Sequence, residues 1–320
     1  MSFLFIAQPK TGTTLVTWIC HLLRTNASDN FGFDCLYEVA PWPTLSWDIG
    51  GRDAPSWRAL VQPVSIKCVF LTRLFVDAGM DPNVQGNAFA PRVFKSHLRM
   101  ASIYPSCKYV VTVRDPAATT LSFYNFFLAK KVPFLVDGPD DGCPKVDVST
   151  FLMDMPFVQG NSTRGSIWDY YAEYHALLEC PSVLILVYED FVSDLRAQVR
   201  RLHKFIDTPS GESGHDDNRD NKGLIDRVAA MATKEYMARH NAKFDEPYER
   251  AKALGRAADV AQMAPGNKVA LQRHQQTLDA RAEAFLGERW ERQMRPLGYK
   301  NYAAFAAAAR ERNNRLFGRG

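Results

Sequence analysis

Several things are scarce in this 320-residue sequence, and each scarcity narrows what it can be. There is no Cys-x-x-Cys pair: the six cysteines, Cys20, Cys35, Cys68, Cys107, Cys143 and Cys180, are scattered. Scattered thiols, several of them in apolar surroundings, fit a reduced cytoplasmic protein better than a disulfide scaffold or a zinc site. There is no block of like charge, and the net charge is only +4. That suits a small anionic ligand and falls short of the basic footprint of a nucleic-acid binder. The apolar run Phe3–Ala7 is too short for a membrane span or a signal peptide, and no basic segment precedes it. No internal repeat, no dividing linker and no metal-ligand cluster stands out. What is present, 46% hydrophobic and 12% aromatic residues, supports one large α/β core, read as a single domain over 1–320.

The most informative stretch is Gln8-Pro9-Lys10-Thr11-Gly12-Thr13-Thr14. The apolar run before it reads as a strand. Leu15, Trp18, Ile19, Leu22 and Leu23 after it fall on one helical face. A loop between strand and helix aims backbone N–H groups at whatever lies above the helix N-terminus, where the helix dipole favours an anion. Gly12 permits close approach, Thr13 and Thr14 add hydroxyls, and Lys10 adds a positive charge. The stretch reads as a phosphate cradle; a plain strand-to-helix turn with a surface lysine also explains it on its own. It is not a Walker A loop, because the lysine precedes the glycine and no upstream glycine opens the turn.

Further along, Pro91-Arg92-Val93-Phe94-Lys95-Ser96-His97-Leu98 reads as a short strand with a polar tip, Lys95 and His97 sharing a face. Lys108–Val113 is a β-branched, buried strand of the kind found in parallel sheets. It runs into Arg114-Asp115-Pro116, where Asp115 can cap a helix and Pro116 suits its first position. Arg114 thus sits at a strand C-terminus, where open α/β sheets bind ligands, with Ser122 about two helical turns on. Residues 129–165 read as loop, Ile167–Leu178 as an aromatic-rich helix, and Ser182–Tyr188 as another buried strand followed by a helix to Ile206. Residues 208–223 read as a connector, Leu224–His240 as one helix carrying Thr233 and Met237, and 241–270 as an irregular candidate cofactor-covering loop. Helices over Gln276–Arg295 and Asn301–Arg312 close the chain. The fold expected is a central, mostly parallel sheet flanked by helices, with a P-loop-like strand–loop–helix.

In this order and spacing, the pieces resemble the cytosolic sulfotransferase family, which uses 3′-phosphoadenosine 5′-phosphosulfate (PAPS) and releases adenosine 3′,5′-bisphosphate (PAP). Pro9–Thr14 resembles the family's 5′-phosphosulfate loop, and Pro91–Leu98 its Pro-Arg-x-x-Lys-Thr-His-Leu segment. Tyr109–Pro116, continued to Ser122 and Phe126, resembles its 3′-phosphate motif. Val187-Tyr188-Glu189-Asp190 resembles its Tyr-Glu-Asp stretch. The resemblance implies that Lys10 holds the bridging oxygen of the leaving group and that the N–H groups from Thr11 to Thr14 bind the 5′-phosphate. It implies His97 as the base that deprotonates the acceptor, Lys95 near the sulfonate, Arg114 and Ser122 on the 3′-phosphate, and Tyr188, Thr233 and Met237 around the adenosine.

Three departures accompany it. Leu15 stands where the family has an adenine-stacking tryptophan. In place of the family's Arg-Lys-Gly loop near the C-terminus, only Gly266-Asn267-Lys268-Val269 occupies a comparable place, and the resemblance makes Lys268 the candidate 3′-phosphate ligand there. The chain also opens close to its first strand, without a segment that helps wall the family's acceptor site. Trp42, Trp47, Asp48 and Phe126 are candidate acceptor contacts, and the aromatics with nearby Asp53 would suit a planar or cationic acceptor. Sulfonate transfer needs no obligatory Mg²⁺ clamp, since the transferring group carries less charge than a phosphoryl group. The expectation is an enzyme acting on a small molecule, with neither membrane nor nucleic acid as partner. A P-loop-type kinase using ATP and a catalytically inactive nucleotide-binding module remain as alternatives.

Overall fold

The computed structural model describes residues 2–6, 9–28, 31–33, 35–40, 92–97, 99, 107–129, 146–159, 165–207, 222–244 and 276–318. Trp42, Trp47, Asp48, Lys268, nearly all of the 208–223 connector and the 241–270 loop beyond Phe244 lie outside these residues.

Among the described residues, four parallel strands form one sheet: β1 (Ser2–Ile6), β2 (Arg92–Ser96), β3 (Cys107–Val113) and β4 (Val183–Val187), in the spatial order β2-β1-β3-β4. Ile6 pairs with Ser96 on one side of β1, and Phe5 with Val110 on the other. The chain therefore leaves β1 toward β2 and returns across it to β3, so the C-terminal ends of β1 and β3 flank the point where strand order reverses. Open α/β sheets bind ligands at such a point.

The helices follow in chain order. They are α1 (Thr13–Arg24), α2 (Leu36–Val39), α3 (Pro116–Ala129), α4 (Val148–Asp154), α5 (Pro156–Gln159) and α6 (Ile167–Ala176), then α7 (Tyr188–Ser193), α8 (Leu195–Asp207) and α9 (Lys222–Met231). The last are α10 (Lys234–Arg239), α11 (Asn241–Phe244), α12 (Ala280–Gln293) and α13 (Tyr302–Phe317). Alternation along β3 and β4 divides the core. Val110, Leu184 and Leu186 pack with α1, α8 and α9, whereas Tyr109, Val111, Val113, Val183, Ile185 and Val187 pack with α6, α12 and α13. With helices on both faces, every residue of β4 is buried, as its unbroken apolar run demands.

Several element boundaries differ from the sequence reading: the last two helices cover Ala280–Gln293 and Tyr302–Phe317, α9 begins inside the 208–223 connector, and α11 takes the first residues of the 241–270 loop. The stretch 129–165 is not all loop: Asp147 accepts from Thr150 N–H at 2.9 Å and starts α4, and α5 follows. Tyr188 opens α7 instead of ending β4. The helix from there to Ile206 is two, with Asp194 between them, where its carboxylate accepts from Ala197 N–H at 2.9 Å. The helix read over Leu224–His240 breaks at Ala232 and Thr233, because the Thr233 hydroxyl accepts from Tyr236 N–H at 3.2 Å and begins α10. A threonine that binds the backbone ahead of it favours a cap over a helix interior.

Trp18 settles into the core. It is 1% exposed, donates its indole N–H to Met231 O at 2.9 Å and stacks on Phe31 at 5.3 Å. No helix among the described residues is long and apolar enough to cross a membrane.

Candidate active site

Lys10 and Gly12, at φ 67° and 93°, both adopt left-handed backbone as the chain turns from β1 into α1. A non-glycine residue in this region is uncommon and marks a shaped turn. Gly12 is also the N-cap of α1. It has no side chain to accept the first amides, and no acidic residue lies in the first turn. The helix therefore begins with its positive end uncompensated by its own residues, the condition for an anion site. A side chain at position 12 would fail twice. The dihedral disfavours it, and a Cβ would lie 2.6 Å from the Tyr188 ring.

Two sets of contacts spread from this loop. On one side, Arg114 donates from Nη1 to Lys10 O at 3.0 Å and stacks its guanidinium 4.4 Å from the Tyr188 ring centroid. Buried Thr11 shares a 2.5 Å hydroxyl contact with Thr112 of β3. The Lys10 ammonium lies 4.1 Å over the Phe126 ring, a cation–π contact, with Ser122 one turn earlier on α3 and half-buried. Asp115 caps α3 through Ala118 N–H at 2.9 Å, as its sequence position implied. Burial raises its carboxyl pKa, and neighbouring Glu189 adds to the rise.

On the other side, Thr14 Oγ1 lies 3.3 Å from the Tyr37 hydroxyl, which accepts from Lys95 Nζ at 3.1 Å. Lys95 is only 1% exposed, and Tyr37 is wholly buried. An ammonium removed from water needs such partners. His97 follows at the end of β2, half-buried, with its backbone carbonyl accepting from Tyr170 of α6. Arg99 ties the same segment to α6 through Glu173 at 2.6 Å and Asp169 at 3.6 Å. The Arg99 side chain packs where Gly165, at φ 92°, leaves room.

The structure thus joins Lys10, Thr11, Gly12, Thr14, Lys95, Arg114, Phe126 and Tyr188 by contact. Thr13 is buried in the first turn of α1. Thr233 caps α10, and Met237, 4% exposed, packs in the core that α1 shares. Leu15 is half-buried against that core. The sequence alone assigns no individual role to Tyr37, to Tyr171, which donates to Arg114 O, or to Glu189, which holds the Asp115 amide at 3.0 Å. Tyr37 is one of the aromatics between Cys35 and Trp57, a stretch with neither helical nor strand periodicity. Glu189 lies inside the Tyr-Glu-Asp stretch, the local signal that places its carboxylate beside Tyr188. No group of side chains suited to a metal ion occurs among the described residues.

The sulfotransferase domain family matches residues 2–252. Sulfotransferase 1E1 of Cavia porcellus is 28% identical over 122 residues, 37% of this chain and 38% of that protein. Cytosolic sulfotransferase 7 of Arabidopsis thaliana is 27% identical over 147 residues, 43% of this chain and 41% of that protein. The matched part thus spans about two fifths of these relatives' length. A crystal structure of retinol dehydratase in complex with retinol and PAP superposes with a TM-score of 0.53 at 14% identity, over 92% of this chain and 82% of that one. It shares the fold.

Proposed function

The chain belongs to the sulfotransferase family, and from that premise we propose that it moves a sulfonate group from PAPS to a hydroxyl or amine of a small-molecule acceptor. The observation that carries this reading is the bond from Arg114 to the Lys10 carbonyl at 3.0 Å. It ties two cationic residues to one uncapped helix start, with the Tyr188 ring against both Arg114 and Gly12. A doubly phosphorylated adenosine fits that chemistry: two anionic ends and an aromatic base.

When bound, PAPS supplies a sulfonate whose bond to the 5′-phosphate oxygen breaks as the acceptor attacks. The remaining work falls to the chain. Lys10 and the N–H groups from Thr11 to Thr14 stabilise the charge that grows on the leaving phosphate, where fixed donors are most effective. His97 takes the proton from the acceptor, a task suited to imidazole near neutral pH. Lys95 neutralises the sulfonate. Arg114, Ser122 and Lys268 hold the 3′-phosphate. Tyr188, Thr233 and Met237 border the adenosine, and Trp42, Trp47, Asp48 and Phe126 border the acceptor. A cytoplasmic setting belongs to the same proposal.

Tyr37 joins this set as the hydroxyl between Thr14 and Lys95. Tyr37→Phe keeps the buried ring and removes that oxygen. It is expected to lower kcat about tenfold, the worth of one hydrogen bond to a charged group, with little change in nucleotide affinity. Equal kcat at saturating donor would remove Tyr37 from the site.

The proposal as a whole is tested by thermal shift and a transfer screen. PAP at about a hundred times its Kd is expected to stabilise the protein by about 2.7 kcal/mol, a rise of roughly 4 °C for a chain of this size. Mg-ATP is expected to do much less. The reverse order would favour a kinase. Stabilisation by PAP with no transfer to any phenol, alcohol or amine would favour a binding module.

A further inference from the structure

The C-terminal helix α13 reaches the nucleotide side of this site from outside the stretch that matches the family, which ends at residue 252. Glu189, the residue after Tyr188, has both carboxylate oxygens engaged. Oε1 accepts from the Asp115 backbone N–H at 3.0 Å, and Oε2 accepts from the Tyr302 hydroxyl of α13 at 2.6 Å. Burial pushes the Tyr302 phenol far above its usual range, with Tyr171 and Glu189 adding to the rise, so it stays protonated and donates. The next residue, Asp190, is gripped by Arg310 of α13, from Nε at 3.0 Å and Nη2 at 2.7 Å. On the far side of the Arg114–Asp115 peptide, Tyr171 donates to Arg114 O, and its ring centroid lies 6.3 Å from that of Tyr302.

The peptide that follows the Arg114 side chain is therefore clamped at its carbonyl and at its N–H. The N–H clamp, Glu189, is itself oriented by a phenol from α13. A carboxylate that lost this second donor would turn toward the nearest cation or toward water, since a buried charge short of hydrogen bonds is costly. Tyr188, one residue back, shares that turn and carries the ring on which Arg114 stacks. An arginine held in one orientation can bind an anion bidentately, and one free to rock cannot.

We propose that Tyr302 and Glu189 are positioning residues that fix the Arg114–Tyr188 stack and so set how strongly the site prefers a nucleotide bearing a 3′-phosphate. The inference rests on the reading that Arg114 holds that phosphate.

Calorimetric titration of the full chain with PAP and with adenosine 5′-monophosphate tests it. In wild type PAP binds more tightly, and the ratio of the two Kd values measures the preference. Tyr302→Phe keeps the ring beside Tyr171. It is expected to reduce that ratio about tenfold, while affinity for the monophosphate stays within about twofold. Glu189→Gln, which replaces one acceptor by a donor, is expected to do the same and carries the test should Tyr302→Phe not fold. Arg315→Ala, which removes an exposed ion pair with Glu179 from the same helix, is expected to leave the ratio unchanged. A wild-type ratio in both variants, or an equal loss for both nucleotides, would overturn the positioning role. A wild-type protein that does not distinguish the two nucleotides would instead overturn the assignment of Arg114, and this inference with it.

Discussion

Lys10→Met is expected to lower kcat by about a thousandfold, the order seen when a donor facing developing charge is removed, and to weaken PAP binding by no more than about tenfold. The contrast follows from where Lys10 sits. Its carbonyl is held by Arg114 and its backbone is already left-handed at φ 67°. Methionine is of similar length and bears the same backbone cost, so the loop should keep its shape. What disappears is the ammonium, which lies over Phe126 at 4.1 Å. Charge on the leaving phosphate oxygen is greater in the transition state than in the bound donor, so its partner affects rate more than affinity. Lys10→Arg should recover little, since a planar fork does not replace a compact ammonium. Single-turnover rates at saturating donor, with PAP affinity measured in parallel, check both halves. A kcat within threefold of wild type would put the leaving-group charge elsewhere.

His97→Ala is expected to cost about two to four powers of ten in kcat, the usual worth of a positioned base, and the loss should depend on the acceptor. A phenol already ionised at the assay pH has no proton to give, so the variant should lose far less with it than with an aliphatic alcohol. That dependence separates a base from a residue that merely holds the acceptor, whose removal would slow both alike. The substitution keeps the segment's anchors at the His97 carbonyl and the Arg99 side chain. A uniform loss across acceptors of widely different acidity would assign His97 a binding role.

How much could be read beforehand divides along sequence distance. The loop at Lys10–Thr14, the strand into Arg114, the Asp115 cap and the apolar face of α1 are each written within a few neighbouring residues, and they appear where expected. The break at Ala232–Thr233 escaped because apolar periodicity ran through it with no glycine or proline, although threonine was a cap signal. The start of α4 escaped for a similar reason: Asp147 follows a stretch rich in glycine and proline that masked it. Tyr37 meets Lys95 across 58 positions, and Glu189 meets Tyr302 across 113. Such meetings depend on how whole layers stack, and no local pattern encodes them.

The hydroxyl contact between Thr11 and Thr112 has a consequence for affinity. It fastens the turn after β1 to the neighbouring strand at the middle of the sheet, so the turn is ordered by the fold itself. The conformational entropy of those residues is lost when the chain folds and not again when a ligand arrives. An anion bound there, as proposed, would meet a receptor already in its binding shape, and the free energy of the contact would go into holding it.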